Sequence, residues 1–545
     1  MEGQRAAGSV RFERRLYKAS IISVCLLGMI LRLACCFWAY PAQFHPDEDA
    51  IVANTIDMLQ RHSWQAYLYS WPGQLPIKLN ALLFSLFSHI KYHQAAYEAF
   101  PDHIEVFYLL ARGLTVLFGM GIVIITGMVL QTITAKWESG NREAVFTGCV
   151  LAALSPVYIK HSALSTPDVT LTFFVVLFTF GLMQYIEKGE FRYFLLCVIA
   201  LGLGFTTKYP ALFLSPMLAI AVIIKEGISK KKYGKIFIYA VISIGLIAVI
   251  TFLVFPNFFL HLPDVLNGVF AEADFTSLGI HSLGFLGNVK YYSLEALADP
   301  GYIASIPFIL GLITLMIRKE RINWALFSGV LYLACISLIS IHWRRWGIPV
   351  FIFFLWAIAL GTSSGLSLLR SGTVVRKLAG FLVCLSSIIL LLNTILTAFA
   401  QTKYRLLPDI RYLSLSYIKE HDITPANTIS ESYTPYAPNG YGVDAEDAFV
   451  IENGKPTLLP EYADISYFIR NESMAKSYRD ERENYPRQAA LYDAIEEEFS
   501  LIYSQESDGE FVQIPYAMKN IQYSIDYLMK QYHSTGSAFY VYEIK

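Results

Sequence analysis

"ASIISVCLLGMILRLACCFWAYPAQFHPDED" (residues 19–49) joins a long apolar run directly to a cluster of acids. A helix needs about 20 apolar residues to cross a bilayer, and the run at 19–40 is long enough to do so. It also lacks the small-residue cleavage site of a signal peptide, so we interpret it as a retained first membrane span. Carboxylates are costly to hold beside hydrocarbon, and the acids at 47–49 therefore indicate a task at the membrane surface.

The composition of the whole chain is that of a membrane protein. Of its 545 residues, 55% are hydrophobic and only 16% are charged, whereas a soluble domain has about 25% charged residues. Residues 1–400 carry 30 Lys and Arg against 21 Asp and Glu, and residues 401–545 carry 13 against 23. This division predicts two domains in different solvents. All seven cysteines lie in apolar runs, which excludes a disulfide framework of the secreted type.

Eleven apolar runs are candidate membrane spans. They fall near residues 19–40, 104–134, 143–160, 166–186, 191–207, 209–225, 235–255, 301–317, 322–341, 346–366 and 377–398. If the N-terminus is cytoplasmic, every inside loop is basic, as the positive-inside rule requires. The sequence thus predicts an α-helical polytopic membrane protein with about 11 transmembrane helices and an acidic C-terminal part outside the cytoplasm.

The first outer loop, residues 41–103, is predicted to carry juxtamembrane helices. After the acids, Ile51 and Ile56 share one face of an amphipathic helix. A second amphipathic or re-entrant stretch follows at 75–90. Lys78 lies at the start of this stretch, and two interpretations of it stay open: an interfacial anchor and an anion contact.

Residues 401–545 are predicted to form a small soluble α/β domain outside the membrane. No apolar run there is long enough to cross a bilayer. "NTISES" (427–432) is typical of a strand, and "YPRQAALYDAIEEEFSLIYS" (485–504) of a helix leading into a strand. "SAFYVYEIK" (537–545) alternates with a period of two and predicts a closing strand.

The predicted topology brings charged residues from distant segments to one outer surface. Six of them are expected there: Asp47, Asp168, Lys208, His342, Arg344 and Arg345. Basic residues on the outer side are exceptions to the positive-inside rule, which favours an anionic partner. Paired arginines can bind a phosphate bidentately, and a lysine adds a point charge. In the alternative interpretation, the acids are ordinary residues at helix starts, and the cations are anchored in an aromatic belt.

These groups are suited to one type of reaction. A carboxylate such as Asp47 can act as a general base on an acceptor hydroxyl or amine, while the cations stabilise a departing phosphate. An outward-facing site without a nucleotide-binding motif favours a lipid-borne sugar donor. A polytopic lipid or solute transporter or flippase is the alternative, but it would place charges near the bilayer midplane and show an inverted repeat. A catalytically silent scaffold or sensor is a third class.

The charged motifs resemble those of the GT-C glycosyltransferases, in the branch of the protein O-mannosyltransferases and the bacterial lipid A aminoarabinose transferases. The resemblance covers most of residues 15–400 and rests on four motifs in order: "HPDE" (45–48), "STPD" (165–168), "TTKYPAL" (206–212) and "HWRRWGIPVF" (342–351). It implies a GT-C fold and an inverting transfer of a hexosyl or pentosyl group from a polyprenyl-phosphate carrier. The acceptor would be a protein, a glycolipid or a wall glycan at an extracytoplasmic site. "LPIK" (75–78) departs from the Lys-Pro-Pro of the family.

The resemblance also implies roles for individual residues. By motif position, Asp47 is similar to the catalytic base, Glu48 to its partner and Asp168 to the second acidic position. The residues similar to lipid-phosphate contacts are Lys208, Arg344, Arg345, His342 and Lys78. His45 and Tyr209 are candidate substrate contacts.

The resemblance leaves the metal question open and points to a cellular setting. No metal site or cofactor is assigned. The binding of a divalent ion stays an open alternative if four side chains converge: His45, Asp47, Glu48 and Asp168. The expected partners are the lipid-linked donor, the acceptor and the bilayer, with no nucleic acid. The expected location is a bacterial plasma membrane rather than the endoplasmic reticulum.

Overall fold

Long apolar helices build the first 406 residues of the chain. The computed structural model describes residues 2–42, 45–69, 73–137, 140–274, 282–340, 342–370, 372–437 and 442–544. The α-helices described in the first 406 residues are α1 (Glu2–Cys35), α2 (Pro46–Gln60), α3 (Gln74–Tyr92), α4 (Ala96–Ala99), α5 (Ile104–Thr134), α6 (Asn141–Leu154), α7 (Pro156–Ser162), α8 (Pro167–Lys188), α9 (Phe191–Thr207), α10 (Ser215–Val222), α11 (Tyr233–Val254), α12 (Asn257–Leu260), α13 (Leu262–Asp274), α14 (Gly284–Ala298), α15 (Ser305–Arg318), α16 (Phe327–Ile336), α17 (Ile348–Leu369) and α18 (Val374–Leu406). Shorter helical turns connect them at Tyr209–Leu214, Ile223–Ser229, Tyr302–Ala304, Arg321–Leu326 and Arg344–Gly347.

The multi-pass membrane architecture predicted from the sequence is confirmed. Within the described residues, seven helical segments are long and apolar enough to cross a membrane: Arg15–Cys35, Ile104–Thr134, Pro167–Lys188, Tyr209–Ser229, Tyr233–Val254, Arg344–Leu369 and Val374–Leu406. Two further pairs, α6 with α7 and α14 with the helix at Tyr302–Arg318, are bent by 50° and 99°. The runs predicted at 191–207 and 322–341 form shorter apolar helices. Every predicted run is thus helical, while a count of eleven crossings stays a prediction.

The bend between α6 and α7 is held by charged side chains from distant parts of the chain. The Ser155 hydroxyl and the Val157 N–H donate to the buried Asp299 carboxylate at 2.6 and 3.0 Å. The buried Arg32 guanidinium donates to the Ala152 carbonyl at 2.9 Å. Because a bent helix frees backbone carbonyls and amides, these bonds satisfy groups that a straight helix would satisfy itself.

The described part of residues 41–103, the predicted first outer loop, contains the amphipathic helices α2 and α3. Ile51 is fully buried in α2, and Ile56 on the same face is 8% exposed. Gly73 takes a left-handed conformation (φ 49°) before α3, and its N–H donates to the Thr207 carbonyl at 3.1 Å. The Tyr209 hydroxyl donates to the Tyr69 carbonyl at 2.6 Å. These two hydrogen bonds therefore join the loop to the turn that contains Lys208, the predicted lipid-phosphate contact.

A small four-stranded sheet forms after α18, as expected of an α/β fold. The strands are β1 (Thr428–Ser430), β2 (Phe449–Glu452), β3 (Lys455–Leu458), β4 (Tyr467–Asn471), β5 (Ser500–Gln505) and β6 (Phe539–Glu543), and the helices are α19 (Ile410–Leu413), α20 (Leu415–Glu420), α21 (Ala445–Ala448), α22 (Glu472–Asp480), α23 (Pro486–Glu498) and α24 (Ala517–Met529). The sheet order is β1-β4-β6-β5, with β1 parallel to β4 and the other pairs antiparallel. The three strands predicted from the sequence correspond to β1, β5 and β6. The central strand β4 and the β2–β3 hairpin were not predicted.

The C-terminal part is fastened to the membrane helices by buried polar contacts. The Asn520 amide on α24 donates to Asn393 Oδ1 at 2.9 Å and to Thr397 Oγ1 at 2.7 Å, both on α18. The Gln513 amide donates to the carbonyls of Ala298 and Asp299. Since buried polar groups are costly to leave unpaired, these bonds specify one docked position for α24.

The stability of the C-terminal part is expected to fall between pH 5 and pH 7. Glu431 is fully buried and accepts hydrogen bonds from the Asn471 N–H (2.6 Å) and the Tyr492 hydroxyl (2.5 Å). Burial raises the pKa of Glu431 to about 7 from 4.5. The folded state therefore binds this proton more tightly than the unfolded state, and stability is lost as pH rises from 4.5 towards 7, by up to about 3 kcal/mol.

Hydrogen exchange of the β4 amides in the full chain measures this pH dependence. Glu431→Gln is expected to remove the slope and to protect these amides above pH 7. Glu497→Gln, at an exposed position on α23, is the matched control and should retain the wild-type slope. An unchanged slope in Glu431→Gln would show that another group is responsible.

Candidate active site

Asp47 lies in the first turn of α2 and forms an ion pair across the molecule. Its carboxylate contacts the Arg345 guanidinium at 2.6 Å, and the two side chains are 13% and 26% exposed. Arg345 belongs to the turn before α17, about 300 residues away in the chain. The predicted convergence of the first and last charged motifs is therefore present, and the pair is open to solvent on one side.

Glu48 ties the first acidic motif to the second. Its fully buried carboxylate accepts bidentate hydrogen bonds from Arg112 on α5 at 2.7 and 2.8 Å. The same carboxylate accepts the Ser165 N–H at 2.8 Å, in the loop that leads into α8. Burial alone would raise the pKa of Glu48, but Arg112 and this N–H hold it below its ordinary value. Glu48 thus holds α2, α5 and the start of α8 in register.

Asp168 and Lys208 form a second, buried ion pair. The Lys208 ammonium contacts Asp168 Oδ1 at 2.8 Å and lies 4.8 Å from the centre of the Trp346 ring. Trp346 follows Arg345 directly in the chain, so the residue beside Lys208 is the chain neighbour of a residue in the first ion pair. Among the described residues, Asp168 Oδ2 is buried without a hydrogen-bond partner. It is therefore an available acceptor on a group that is otherwise fixed in place.

The remaining predicted residues lie in three different surroundings. Arg344 contacts Glu295 of α14 at 2.7 Å, and the His342 ring packs edge-on against Tyr291 at 4.8 Å. His45 caps α2 beside the Asp47 carboxylate, and burial lowers its pKa. These residues flank the two ion pairs.

Lys78 is tied to a separate set of side chains. Its ammonium lies 3.0 Å from Met58 Sδ and 5.2 Å from the Trp64 ring. Burial lowers the pKa of Lys78 to about 7. None of these contacts joins Lys78 to the Asp47 or Asp168 pair, so its predicted role as a phosphate contact has no geometric support in the described residues.

The acidic residues do not form a metal-ligand set. In the part of the chain that the structure describes, no group of three or more His, Cys, Asp or Glu is arranged to hold a metal ion. Asp47, Glu48 and Asp168 each face a different cation, and a carboxylate set for a divalent ion would have to converge on one point. The described residues therefore do not fit a divalent ion in this arrangement.

Two functional partners were missed by sequence reasoning. Arg112 holds Glu48, and Glu295 holds Arg344. The signal for Arg112 was available, because a lone arginine within an apolar span is costly unless it has a partner. Glu295 lies in a helix of ordinary composition, and no motif marks it.

Comparison with known proteins agrees with the fold expected from the charged motifs. Residues 104–255, which include Asp168 and Lys208, match the family described as dolichyl-phosphate-mannose-protein mannosyltransferase. No curated protein sequence matches the chain at a significant level. Among solved structures, the apo oligosaccharyltransferase of Archaeoglobus fulgidus matches with a TM-score of 0.53 and 12% identity, over 92% of this chain and 75% of that one.

Two further structures extend this comparison. The same A. fulgidus enzyme in complex with Zn and sulfate matches with a TM-score of 0.52 and 10% identity, over 96% of this chain and 88% of that one. ArnT from Cupriavidus metallidurans bound to undecaprenyl phosphate gives a TM-score of 0.49 and 10% identity, over 96% and 97% of the two chains.

Proposed function

The chain has the GT-C fold of membrane-embedded glycosyltransferases, and on this premise we propose that it transfers a sugar from a polyprenyl-phosphate donor to an acceptor at the outer membrane face. The transfer proceeds with inversion, and the acceptor is a protein, a glycolipid or a wall glycan. The proposal draws on the match of residues 104–255 to a family that uses a dolichyl-phosphate sugar. It also draws on the contacts between the charged motifs, of which the first pairs with the last and the second with the third.

Asp47 is the general base of the proposed reaction. Its carboxylate is partly open to solvent and is oriented by the Arg345 guanidinium at 2.6 Å. It would take the proton of the acceptor hydroxyl while that oxygen attacks the anomeric carbon and the bond from this carbon to the phosphate oxygen breaks. The free Oδ2 of Asp168 would accept a hydrogen bond from a hydroxyl group and so fix the orientation of a sugar.

The cations beside Asp47 serve the leaving phosphate. Arg344, Arg345 and Lys208 lie on the same side of the membrane under the predicted topology. Negative charge grows on the phosphate oxygens as the sugar leaves, and preorganised cations stabilise that charge more strongly in a site with little water. Each of the three has a carboxylate partner, which holds it in position before the donor arrives.

An apolar groove beside Lys208 is suited to the polyprenyl tail of the donor. Phe205 and Leu212, on either side of Lys208 in the chain, line a cavity of about 720 Å³ between α9, α10 and α11. It extends from Phe258 of α12, beyond the predicted outer end of α11, to Ile236 near the predicted inner end of α11. A lipid tail in this groove would place its phosphate near the Lys208 ammonium.

One observation carries the proposal: Asp47 pairs with Arg345, and Asp168 pairs with Lys208, whose ammonium lies 4.8 Å from the ring centre of Trp346, the residue after Arg345. A base and phosphate-binding cations are brought together from motifs that span 300 residues. A transporter would instead need its charged groups near the bilayer midplane.

The test uses the full chain in lipid nanodiscs with a panel of radiolabelled polyprenyl-phosphate sugars. Wild type is expected to bind and turn over one donor class. Arg344→Ala/Arg345→Ala is expected to weaken donor binding by at least about 100-fold, because two charge-assisted contacts of about 1.5 to 3 kcal/mol each are lost. Arg376→Ala, exposed at the start of α18, is the matched control. Wild type that binds no donor in the panel would overturn the proposal.

A further inference from the structure

Three basic side chains outside the four charged motifs lie near His45 of the first motif. They are Lys160 and His161 on α7 and Arg405 at the end of α18. The Lys160 ammonium lies within electrostatic range of Arg344 and Arg405. His161 lies within range of Lys160, Arg405 and His45. The group therefore adjoins the proposed phosphate-binding cations through Arg344.

Arg405 is a buried guanidinium with unused hydrogen-bond donors. It is 3% exposed and packs over the Trp38 ring at 4.7 Å. Its Nε and Nη1 atoms are buried and have no hydrogen-bond partner in the described residues. An unpaired buried guanidinium is strongly unfavourable, and such groups normally have an anionic partner.

Lys160 is exposed although its chain neighbours are buried. Its helix, α7, packs against α1, α5 and α18, and the neighbouring Ile159 and His161 are buried. Within the described ranges, no carboxylate lies within ion-pair distance of Lys160 or Arg405. The Nδ1 atoms of His45 and His161 are likewise buried without a partner there.

Lys160 and Arg405 differ from the cations of the charged motifs, which have carboxylate partners. Lys208 has Asp168 as its partner, while Arg344 has Glu295. Lys160 and Arg405 are the uncompensated positive charges of this region among the described residues. A dianionic or monoanionic phosphoryl group would satisfy both the charge of this pair and the unused N–H donors of Arg405.

We propose that Lys160 and Arg405, with His45 and His161 beside them, form a phosphoryl-binding site that adjoins Arg344. The inference rests on the proposed function, because the lipid donor is the phosphoryl compound that this enzyme handles. The same chemistry would also bind free phosphate, and the experiment separates the two sources. The site adds two cations to the phosphate-binding set that the motifs contain.

The test measures binding by the full chain in phosphatidylcholine nanodiscs. The probes are radiolabelled polyprenyl monophosphate, the matching polyprenol and inorganic phosphate as a competitor. Lys160→Met is the main variant, since the Lys160 side chain is exposed and is not packed in the core. Lys160→Glu reverses the charge. Lys377→Met, exposed at the far end of α18, is the matched control, and size-exclusion profiles establish that each variant is folded.

Lys160→Met is expected to weaken polyprenyl-phosphate binding roughly tenfold, Lys160→Glu more, and neither to change polyprenol binding. That result supports a site for the lipid ester. If inorganic phosphate competes in wild type but not in Lys160→Met, the site is supported as one for free phosphate. If wild type binds polyprenyl phosphate and Lys160→Met and Lys160→Glu bind both probes equally well, the inference is overturned while the proposed function stands. If wild type binds no polyprenyl phosphate, the proposed function fails and the inference fails with it.

Discussion

Asp47→Asn is expected to lower the rate of sugar transfer by roughly 100- to 10,000-fold, which is what a positioned general base contributes. Asparagine keeps the size of the side chain and can still contact Arg345, but it cannot take up the proton of the acceptor. Donor binding should change by less than threefold, because the cations around the site remain. The measurement is single-turnover transfer from the donor identified in the binding panel, with donor affinity determined on the same preparation.

Asp57→Asn is the matched control for this experiment. Asp57 lies on the outward face of the same helix and forms an ordinary exposed ion pair with Arg61 at 2.6 Å. It should transfer sugar at the wild-type rate. Transfer by Asp47→Asn within tenfold of wild type would remove Asp47 from the role of base and direct attention to Asp168.

Arg112→Met is expected to be the most destabilising single substitution in the site region, at about 3 to 5 kcal/mol. It leaves the Glu48 carboxylate buried and unpaired, and it also removes donors to the Cys36 and Trp38 carbonyls. The measurement is reversible unfolding in mixed micelles with increasing detergent denaturant. The loss should appear as a lower midpoint with an unchanged slope.

A second variant separates the charge from the packing of this pair. Glu48→Leu/Arg112→Met removes both charges and is expected to recover most of the lost stability, since an apolar pair needs no desolvation of ions. The exposed pair of Arg61 and Asp57 supplies the comparison, and Arg61→Met should cost less than about 1 kcal/mol. An Arg112→Met protein as stable as wild type would mean that water reaches the Glu48 carboxylate.

The long apolar helices followed from simple physical rules. Apolar length marked the long helices but not α13 and α14. The alternation with basic loops predicted one surface for residues as distant as Asp47 and Arg345, and the structure pairs these two. The period-two pattern at 537–545 likewise marked β6. These features depend on local composition, which one sequence contains in full.

The partners of the charged residues did not follow from the same rules. Nothing near Glu48 in the chain indicates that Arg112 and Ser165 would bind it, because the choice is made by the packing of α2, α5 and α8. Lys160 was interpreted as the last residue of an apolar run. Strand β4 was missed because its pairing partner β6 lies some 70 residues later. Arg405 lies beyond the last predicted span, where a cation is unremarkable. Long-range pairing was the missing information in each case.

The bend between α6 and α7 has a consequence for how the protein is made. Asp299, which receives the hydrogen bonds of that bend, is synthesised 144 residues after Ser155. At translation rates of 5 to 20 residues per second, roughly 7 to 30 s pass before the carboxylate exists. During that interval the ribosome has delivered a hydrophobic segment whose backbone groups at the bend lack their final partner. We therefore expect the insertion machinery, rather than the nascent chain, to protect those groups until α14 is synthesised.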